Sequence, residues 1–224
     1  MGGSGPRFYG RRRGKKLRPG RQALIDDLLP RLCVPAEGPV DPAGLFDPVA
    51  ADVWLEIGFG AGEHLAAQAA ARSDIGFIGC EPFVNGVAAL LAQIAGQGLE
   101  NVRILDDDAR LLLPRLTDAS IGRVYLLYSD PWPKKRHRNR RFVQRETLDD
   151  LARVLKPGGL FRFATDHMEH ARWALRLAAN HPDFKWTASG PRDWRRRWAD
   201  GFATRYEEKG LAGPDRVYLE FRRR

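Results

Sequence analysis

Residues 53–63 read Val-Trp-Leu-Glu-Ile-Gly-Phe-Gly-Ala-Gly-Glu: an apolar run ending beside an acid, a glycine-rich turn, and the start of an Ala-rich stretch over 63–71. A short apolar run bounded by glycine has the length of a buried strand, and the stretch after Gly62 has the composition of a helix. The unit repeats along the chain. Strand-like runs at 76–80, 102–105, 124–128 and 160–164 are each followed by a helical pattern, at 83–95, 109–116, 142–155 and 167–179. Such alternation predicts βαβ units, so the fold class is α/β and Rossmann-like, a central, mostly parallel sheet with helices on both faces. The end of the chain departs from the pattern: 184–189 and 217–221 read as strands of an antiparallel C-terminal extension.

The 224 residues suit one domain of ordinary size with a tail in front of it. Residues 1–22 hold eight basic side chains and no acid, so they account for most of the net charge of +9. Their Gly and Arg content and few apolar groups predict a disordered basic tail. Residues 23–52 read as a lead-in, a helical patch over 23–32 and a Pro/Gly-rich connector, and 53–224 as the α/β domain. Two cysteines, Cys33 and Cys80, form no disulfide framework and read as core residues of a protein from a reducing compartment, the cytoplasm. No apolar run approaches the roughly 20 residues that span a bilayer, and the basic amino terminus has no apolar stretch of a secretory signal behind it. The expectation is a protein with no membrane partner. His167 and His170 lack a third ligand, so no metal is expected either.

Ligands of an open parallel sheet bind at the carboxyl ends of the strands, near the switch in strand order. Every strand here ends on an acid: Glu56, Glu81, the run Asp106-Asp107-Asp108, Asp130, and Asp166 after Thr165. The glycine turn distinguishes between cofactors. Gly58, Gly60 and Gly62 make G-x-G-x-G, whereas a dinucleotide fingerprint requires G-x-G-x-x-G and has Glu63 in its last place. A carboxylate at that helix N-terminus is a poor neighbour for a pyrophosphate, and no lysine stands in a P-loop pattern. A cofactor without phosphates suits the loop. S-adenosyl-L-methionine carries an ammonium and a sulfonium, which Glu56 complements. Glu81 is placed to accept both ribose hydroxyls with an acceptor-only side chain, and Asp107 and Asp108 to bracket the adenine.

Residues 128–141 narrow the chemistry: Tyr-Ser-Asp-Pro-Trp-Pro-Lys-Lys-Arg-His-Arg-Asn-Arg-Arg. Pro131 and Pro133 stiffen the backbone and hold Asp130 and Lys134 in a defined relation to the strand end. Trp132 offers a flat face. Six cations follow in eight positions, Lys134, Lys135, Arg136, Arg138, Arg140 and Arg141. Beside a ligand-binding strand end and ahead of a helix, they point to a polyanionic substrate. The tail, and Arg192 and Arg195 to Arg197 around Trp194 and Trp198, add cationic and aromatic surface suited to folded RNA.

These residues carry a resemblance to the bacterial tRNA (guanine-N7-)-methyltransferase family, across about 53–221. The most specific piece is Asp-Pro-Trp-Pro-Lys-Lys-Arg-His at 130–137. Leu-Glu-Ile-Gly-Phe-Gly-Ala-Gly at 55–62, Ala-Thr-Asp at 164–166 and Thr-Arg-Tyr-Glu-Glu-Lys-Gly at 204–210 support it. The chain departs from the family pattern at Ser129, where Pro is usual, at Pro82-Phe83 after Glu81, and at Arg138, which separates His137 from Asn139. The resemblance implies a class I methyltransferase fold and methylation of a guanosine in the tRNA variable loop by S-adenosyl-L-methionine. It implies that Glu56, Glu81, Asp108 and Asp130 line the cofactor site. Lys134, Asp166, Thr204, Arg205, Tyr206 and Glu207 would hold the guanosine, with Arg136, His137, Arg138, Asn139, Arg140 and Arg141 on the RNA.

Guanine N7 has an in-plane lone pair at neutral pH, so the chemistry needs alignment rather than a base. A carboxylate on the N1–H and N2–H edge would stabilise the charge the purine gains. Asp130 is the candidate for that catalytic role, with Asp166 and Glu207 as alternatives, and Lys134 donates to O6 or to a phosphate. Three rival readings remain at this stage: a methyltransferase for another acceptor, a non-catalytic RNA-binding relative, and a nicotinamide oxidoreductase, the last disfavoured by Glu63.

Overall fold

In the computed structural model, residues 8–224 are described. Seven strands form one sheet in the order β3-β2-β1-β4-β5-β7-β6. They are β1 (Asp52–Ile57), β2 (Ile75–Cys80), β3 (Val102–Leu105), β4 (Ile121–Leu127), β5 (Leu155–Thr165), β6 (Phe184–Trp186) and β7 (Val217–Arg223). The first five run parallel, and β7 lies antiparallel between β5 and β6. The parallel sheet and its antiparallel C-terminal part follow the sequence reading, and the strand order reverses between β1 and β4.

Side-chain alternation sorts the core into two layers. Val53, Leu55 and Ile57 of β1 point to one face, packing with Val124, Leu126, Phe161 and Phe163. Trp54 points to the other face with Phe77, Tyr125, Leu65 and Leu90. Glu56 has the parity of Trp54, so its carboxylate faces this second layer.

A lead helix is wound from α1 (Pro19–Ala23), a π turn (Leu24–Leu28) and α2 (Leu29–Leu32). Pro30 has no amide proton to give to the carbonyl four residues back, consistent with the irregular winding just before it. Next come α3 (Glu63–Ala71), α4 (Val84–Gln97), α5 (Ala109–Leu112), α6 (Arg145–Val154), α7 (Met168–Ala179) and two short turns, α8 (Arg192–Arg195) and α9 (Arg205–Glu208). Helix α6 begins later than the pattern over 142–155 predicts. Gln144 and Thr147 form a reciprocal cap there, and the caps fix the boundary.

The lead-in corrects two expectations. A disordered tail over 1–22 is not what residues 8–22 display; residues 1–7 lie outside the described ones. Arg12 Nη2 lies 2.7 Å from Asp107 Oδ1, the Gly14 amide donates to Asn85 Oδ1 at 2.7 Å, and the Val84 amide donates to the Arg12 carbonyl at 3.0 Å. The segment gains a backbone hydrogen bond, a side-chain acceptor and a countercharge that its composition does not reveal. Cys33 is exposed rather than part of the core, whereas Cys80 is buried. Among the described residues no helix is long and apolar enough to cross a membrane.

Candidate active site

At the β1/β4 switch the strand ends open into two adjoining basins. The first, about 350 Å³, is lined by Gly58, Gly60, Glu81, Asp108, Ser129 and Asp130, with Phe8 to Arg11 along its rim. The second, about 340 Å³, is lined by Glu56, Glu63, His64, Thr204, Arg205 and Tyr206. Gly58, Gly60 and Tyr128 belong to both, so the glycine turn is the wall between them.

The turn is built on glycine for two reasons. Gly62 begins α3 at φ +82°, which side chains rarely adopt. Helix α4 approaches the turn so closely that a Cβ on Gly86 would lie 2.1 Å from the Gly60 carbonyl oxygen. The Gly60 amide donates to Glu81 Oε2 at 2.8 Å and the Phe83 amide to Oε1 at 2.9 Å. Burial pushes the Glu81 carboxyl up from its ordinary range, and these two amides pull the other way. Each Glu81 oxygen accepts one amide and keeps acceptor capacity for a ligand hydroxyl.

The acids after β3 are differently employed. Asp108 caps α5 and accepts from Arg110, at 3.0 Å from Nε and 2.6 Å from Nη2. Asp107 is paired with Arg12 and does not line the basin, whereas Asp108 does.

Asp130 sits in a strained turn. Tyr128 (φ +51°) and Trp132 (φ +40°) occupy the left-handed region on either side of it. Asp130 itself is exposed, and among the described residues no hydrogen bond or ion pair engages its carboxylate. Lys134, exposed, lies just beyond, before the 3₁₀ turn Lys135–Arg140 that carries the cations.

The cationic run does not form one surface. Arg136 and Asn139 are exposed, and His137, Arg138 and Arg140 half-buried. Arg140 stacks over Tyr9 and Trp132, 4.4 and 4.9 Å from the ring centroids, and Arg138 pairs with Glu169 at 2.9 Å. Arg141 is buried, 1% exposed, and its guanidinium is spent on Glu169 and on the carbonyls of Pro131 and Trp132. The placement of Arg141 on RNA is therefore corrected: it holds the turn from beneath. Nor does the run start a helix of the sheet, since α6 begins only at Arg145.

The segment 204–207 closes the second basin. Thr204 caps α9, and Glu207 Oε2 accepts from the Thr204 amide at 2.9 Å. Glu207 Oε1 accepts from Tyr218 Oη at 2.6 Å and Arg197 Nη2 at 2.9 Å. Burial would raise this carboxyl, but the bonds from Thr204, Tyr218, Arg197 and Tyr128 outweigh it and hold the group at about 2. Glu207 is buried with both oxygens occupied, which removes it as an alternative for the guanine edge. Asp166 Oδ2 accepts from Tyr206 Oη at 3.2 Å and from the Gly213 amide at 2.8 Å. Arg205 lies 3.7 Å from Glu63. Sequence reading missed the 8–11 rim and the Tyr128–Tyr218–Glu207 chain. The Thr204-x-x-Glu207 spacing is itself a capping-box signature that would have found the turn.

A methyltransferase family model, described as "Putative methyltransferase", matches residues 50–218. A tRNA (guanine-N(7)-)-methyltransferase of Rhodospirillum rubrum is 51% identical over 97% of this chain and 88% of its own length. One of Roseobacter denitrificans is 50% identical over 96% and 94%. The chain belongs to the tRNA (guanine-N(7)-)-methyltransferase family. It is an enzyme of tRNA modification that uses S-adenosyl-L-methionine to methylate guanine N7. Solved structures show the fold alone. The 16S rRNA methyltransferase KamB covers 78% of this chain and 88% of its own, with TM-score 0.50 and 18% identity. SMU.1697c, described as "a putative methyltransferase from streptococcus mutans in complex with SAH", covers 94% and 100%, with TM-score 0.51 and 9% identity.

The donor set fits this cofactor. Glu81 has acceptor capacity for hydroxyls, Glu56 supplies an anion for a cationic group, and Glu63 at the start of α3 replaces the small residue a pyrophosphate would need. Among the described residues no group of three or more His, Cys, Asp or Glu side chains could hold a metal ion.

Proposed function

We propose that the enzyme methylates a guanosine of the tRNA variable loop, with Asp130 as the catalytic carboxylate and with the first basin, continued across the glycine turn to Glu56 in the second, as the cofactor site. The observation that carries the reading is the state of the strand-end acids: of Asp130, Asp166 and Glu207, only Asp130 has no protein partner among the described residues and lines the cofactor basin. When bound, S-adenosyl-L-methionine supplies an electrophilic methyl group on a sulfonium. Glu81 accepts the ribose hydroxyls, Asp108 lies at the base end, and Glu56 faces the amino-acid portion, with Gly58, Gly60 and Gly62 allowing close backbone approach. Asp107 supports this basin only indirectly, through Arg12.

Asp130 accepts from the N1–H and N2–H edge of the guanine and strengthens those bonds as the ring gains positive charge. Lys134 donates to O6 or to an adjacent phosphate. Tyr206, held by Asp166 and tilted against Tyr128 with ring centroids 5.3 Å apart, supplies a face for the base, and Thr204 and Arg205 complete that wall. Arg136, His137, Arg138, Asn139 and Arg140 meet the RNA backbone. Arg11, Arg13, Lys15 and Lys16, on the ordered lead-in, continue this basic surface past the cofactor rim. We infer a cytoplasmic enzyme, a reading that a tRNA substrate and the free Cys33 and Cys80 support.

The test is labelled methyl transfer to a tRNA transcript and to the same transcript with its variable-loop guanosine changed to adenosine. Transfer to the first alone supports the reading; equal transfer to both rejects the site of modification.

A further inference from the structure

Glu56 does not stand alone behind the second basin. It is 5% exposed, and His64, 2% exposed, places Nδ1 at 2.7 Å from Glu56 Oε2. On its other side, His64 Nε2 lies 3.2 Å from the side-chain nitrogen of Gln68, one helical turn further along α3. The orientation of the Gln68 amide is fixed by a third residue. Arg72 Nη1 approaches it at 2.6 Å, and a guanidinium only donates, so the atom facing Arg72 is the oxygen. The amide nitrogen therefore faces His64 Nε2, with the Asp200 carbonyl at 3.0 Å and Tyr125 Oη at 3.3 Å also in reach of its two protons; an amide nitrogen accepts no hydrogen bond, so a proton on His64 Nε2 would have no acceptor there. His64 Nε2 must then accept, and the ring proton sits on Nδ1, aimed at Glu56.

We propose that His64, locked in the Nδ1–H form by Gln68, is a positioning residue that aims the Glu56 carboxylate at the ammonium of the bound cofactor. The inference rests on the placement of Glu56 in the cofactor site. A carboxylate free to rotate would lose part of its ammonium bond to competing geometries. With one oxygen pinned by a buried donor, the other is the one available to a ligand in the basin that Glu56 lines. Gln68 anchors the device through Asp200, whose carboxylate is held by Arg123 at 2.5 Å and Arg162 at 2.7 Å. A helical His and Gln four apart, in an otherwise Ala-rich stretch facing the sheet, are explained by this role.

Titration calorimetry without tRNA tests it, using S-adenosylmethionine, S-adenosylhomocysteine and 5′-methylthioadenosine, which lacks the amino-acid portion. His64→Ala weakens the first two by about tenfold, the loss expected of one hydrogen bond to a charged group, and leaves methylthioadenosine unchanged. His64→Asn, with an amide proton where the ring has Nδ1–H, recovers most of the loss. Equal weakening of all three ligands, or of none, overturns the proposal. Should His64→Ala fail to fold, the imidazole ¹⁵N shifts of the wild type decide: a proton on Nε2 rejects it. Glu56→Gln separates the two levels, because unchanged binding of all three ligands in that variant removes Glu56 from the cofactor site instead.

Discussion

Arg141 lies sealed beneath the Asp130 turn, with its Nε 2.7 Å from the carbonyl oxygen of Pro131. Trp173 covers the guanidinium at 5.1 Å, and Glu169 neutralises it. A proline-stiffened turn with left-handed residues at both ends needs such an anchor, because its own backbone geometry is unfavourable. The cation at the end of the run is thus inward support, and the exposed cations before it are the ones proposed to meet RNA.

The two kinds of cation give different signatures. Arg141→Lys keeps the charge but loses the fork that spans two carbonyls. It lowers kcat about tenfold and leaves the salt dependence of tRNA binding unchanged. Arg136→Ala leaves kcat near wild type and reduces the slope of log K against log salt by about one. Single-turnover rates and binding isotherms at several salt concentrations check both. A reduced salt slope in Arg141→Lys would return that residue to the RNA face.

Removing residues 1–16 weakens cofactor binding as well as tRNA binding. Phe8 to Arg11 line the first basin, the proposed cofactor site. The Arg12–Asp107 pair is exposed, so Arg12→Ala by itself costs under about 1 kcal/mol. The truncation, which also strips the rim, raises the Kd for S-adenosylhomocysteine by about tenfold. Calorimetry on both variants checks this.

Acid loosens the 204–207 wall. Glu207, held at about 2 by the bonds that outweigh its burial, binds no proton in the fold where an unfolded glutamate does. A depressed carboxyl contributes stability that is complete above the unfolded value and is lost as pH falls toward the folded one. The wall therefore weakens between about pH 4.5 and 2. In Glu207→Gln, amide exchange over 204–210 is fast already at neutral pH and insensitive to acid in that window.

His170 gives a second acid dependence at higher pH. It is fully buried, neither ring nitrogen has a hydrogen-bond partner among the described residues, and burial, with the Arg141 charge, lowers it to about 4. The unfolded chain binds the proton first, so stability falls as pH drops from about 6.5 toward 4, by up to about 3 kcal/mol. Phe163 packs edge-on against the ring at 5.0 Å, so His170→Phe suits the site and flattens Tm against pH over that range.

The sheet was legible because its signals are local. Val53 to Ile57 alternate between two apolar layers, Gly62 and Glu63 mark the start of α3, and the strand-end acids follow from topology. What escaped depends on distant partners. The lead-in is ordered by Asn85 and Asp107, about seventy to ninety-five residues away. The inward turn of Arg141 is set by Glu169, which no pattern within 134–141 announces. Helices α8 and α9, four residues each, are too short for a period to register. Cys33 is an apolar-type residue whose exposure composition cannot foresee.

The most direct measurement maps the modified position. Unmodified tRNA is incubated with S-adenosyl-L-methionine and either the wild type or Asp130→Ala, then cleaved with borohydride and aniline at N7-methylguanosine. The account predicts one cleavage in the variable loop with the wild type. It predicts at least a hundredfold less with Asp130→Ala at matched cofactor saturation, about the loss of one electrostatic stabiliser. Cleavage elsewhere in the tRNA, or wild-type cleavage by Asp130→Ala, would contradict it.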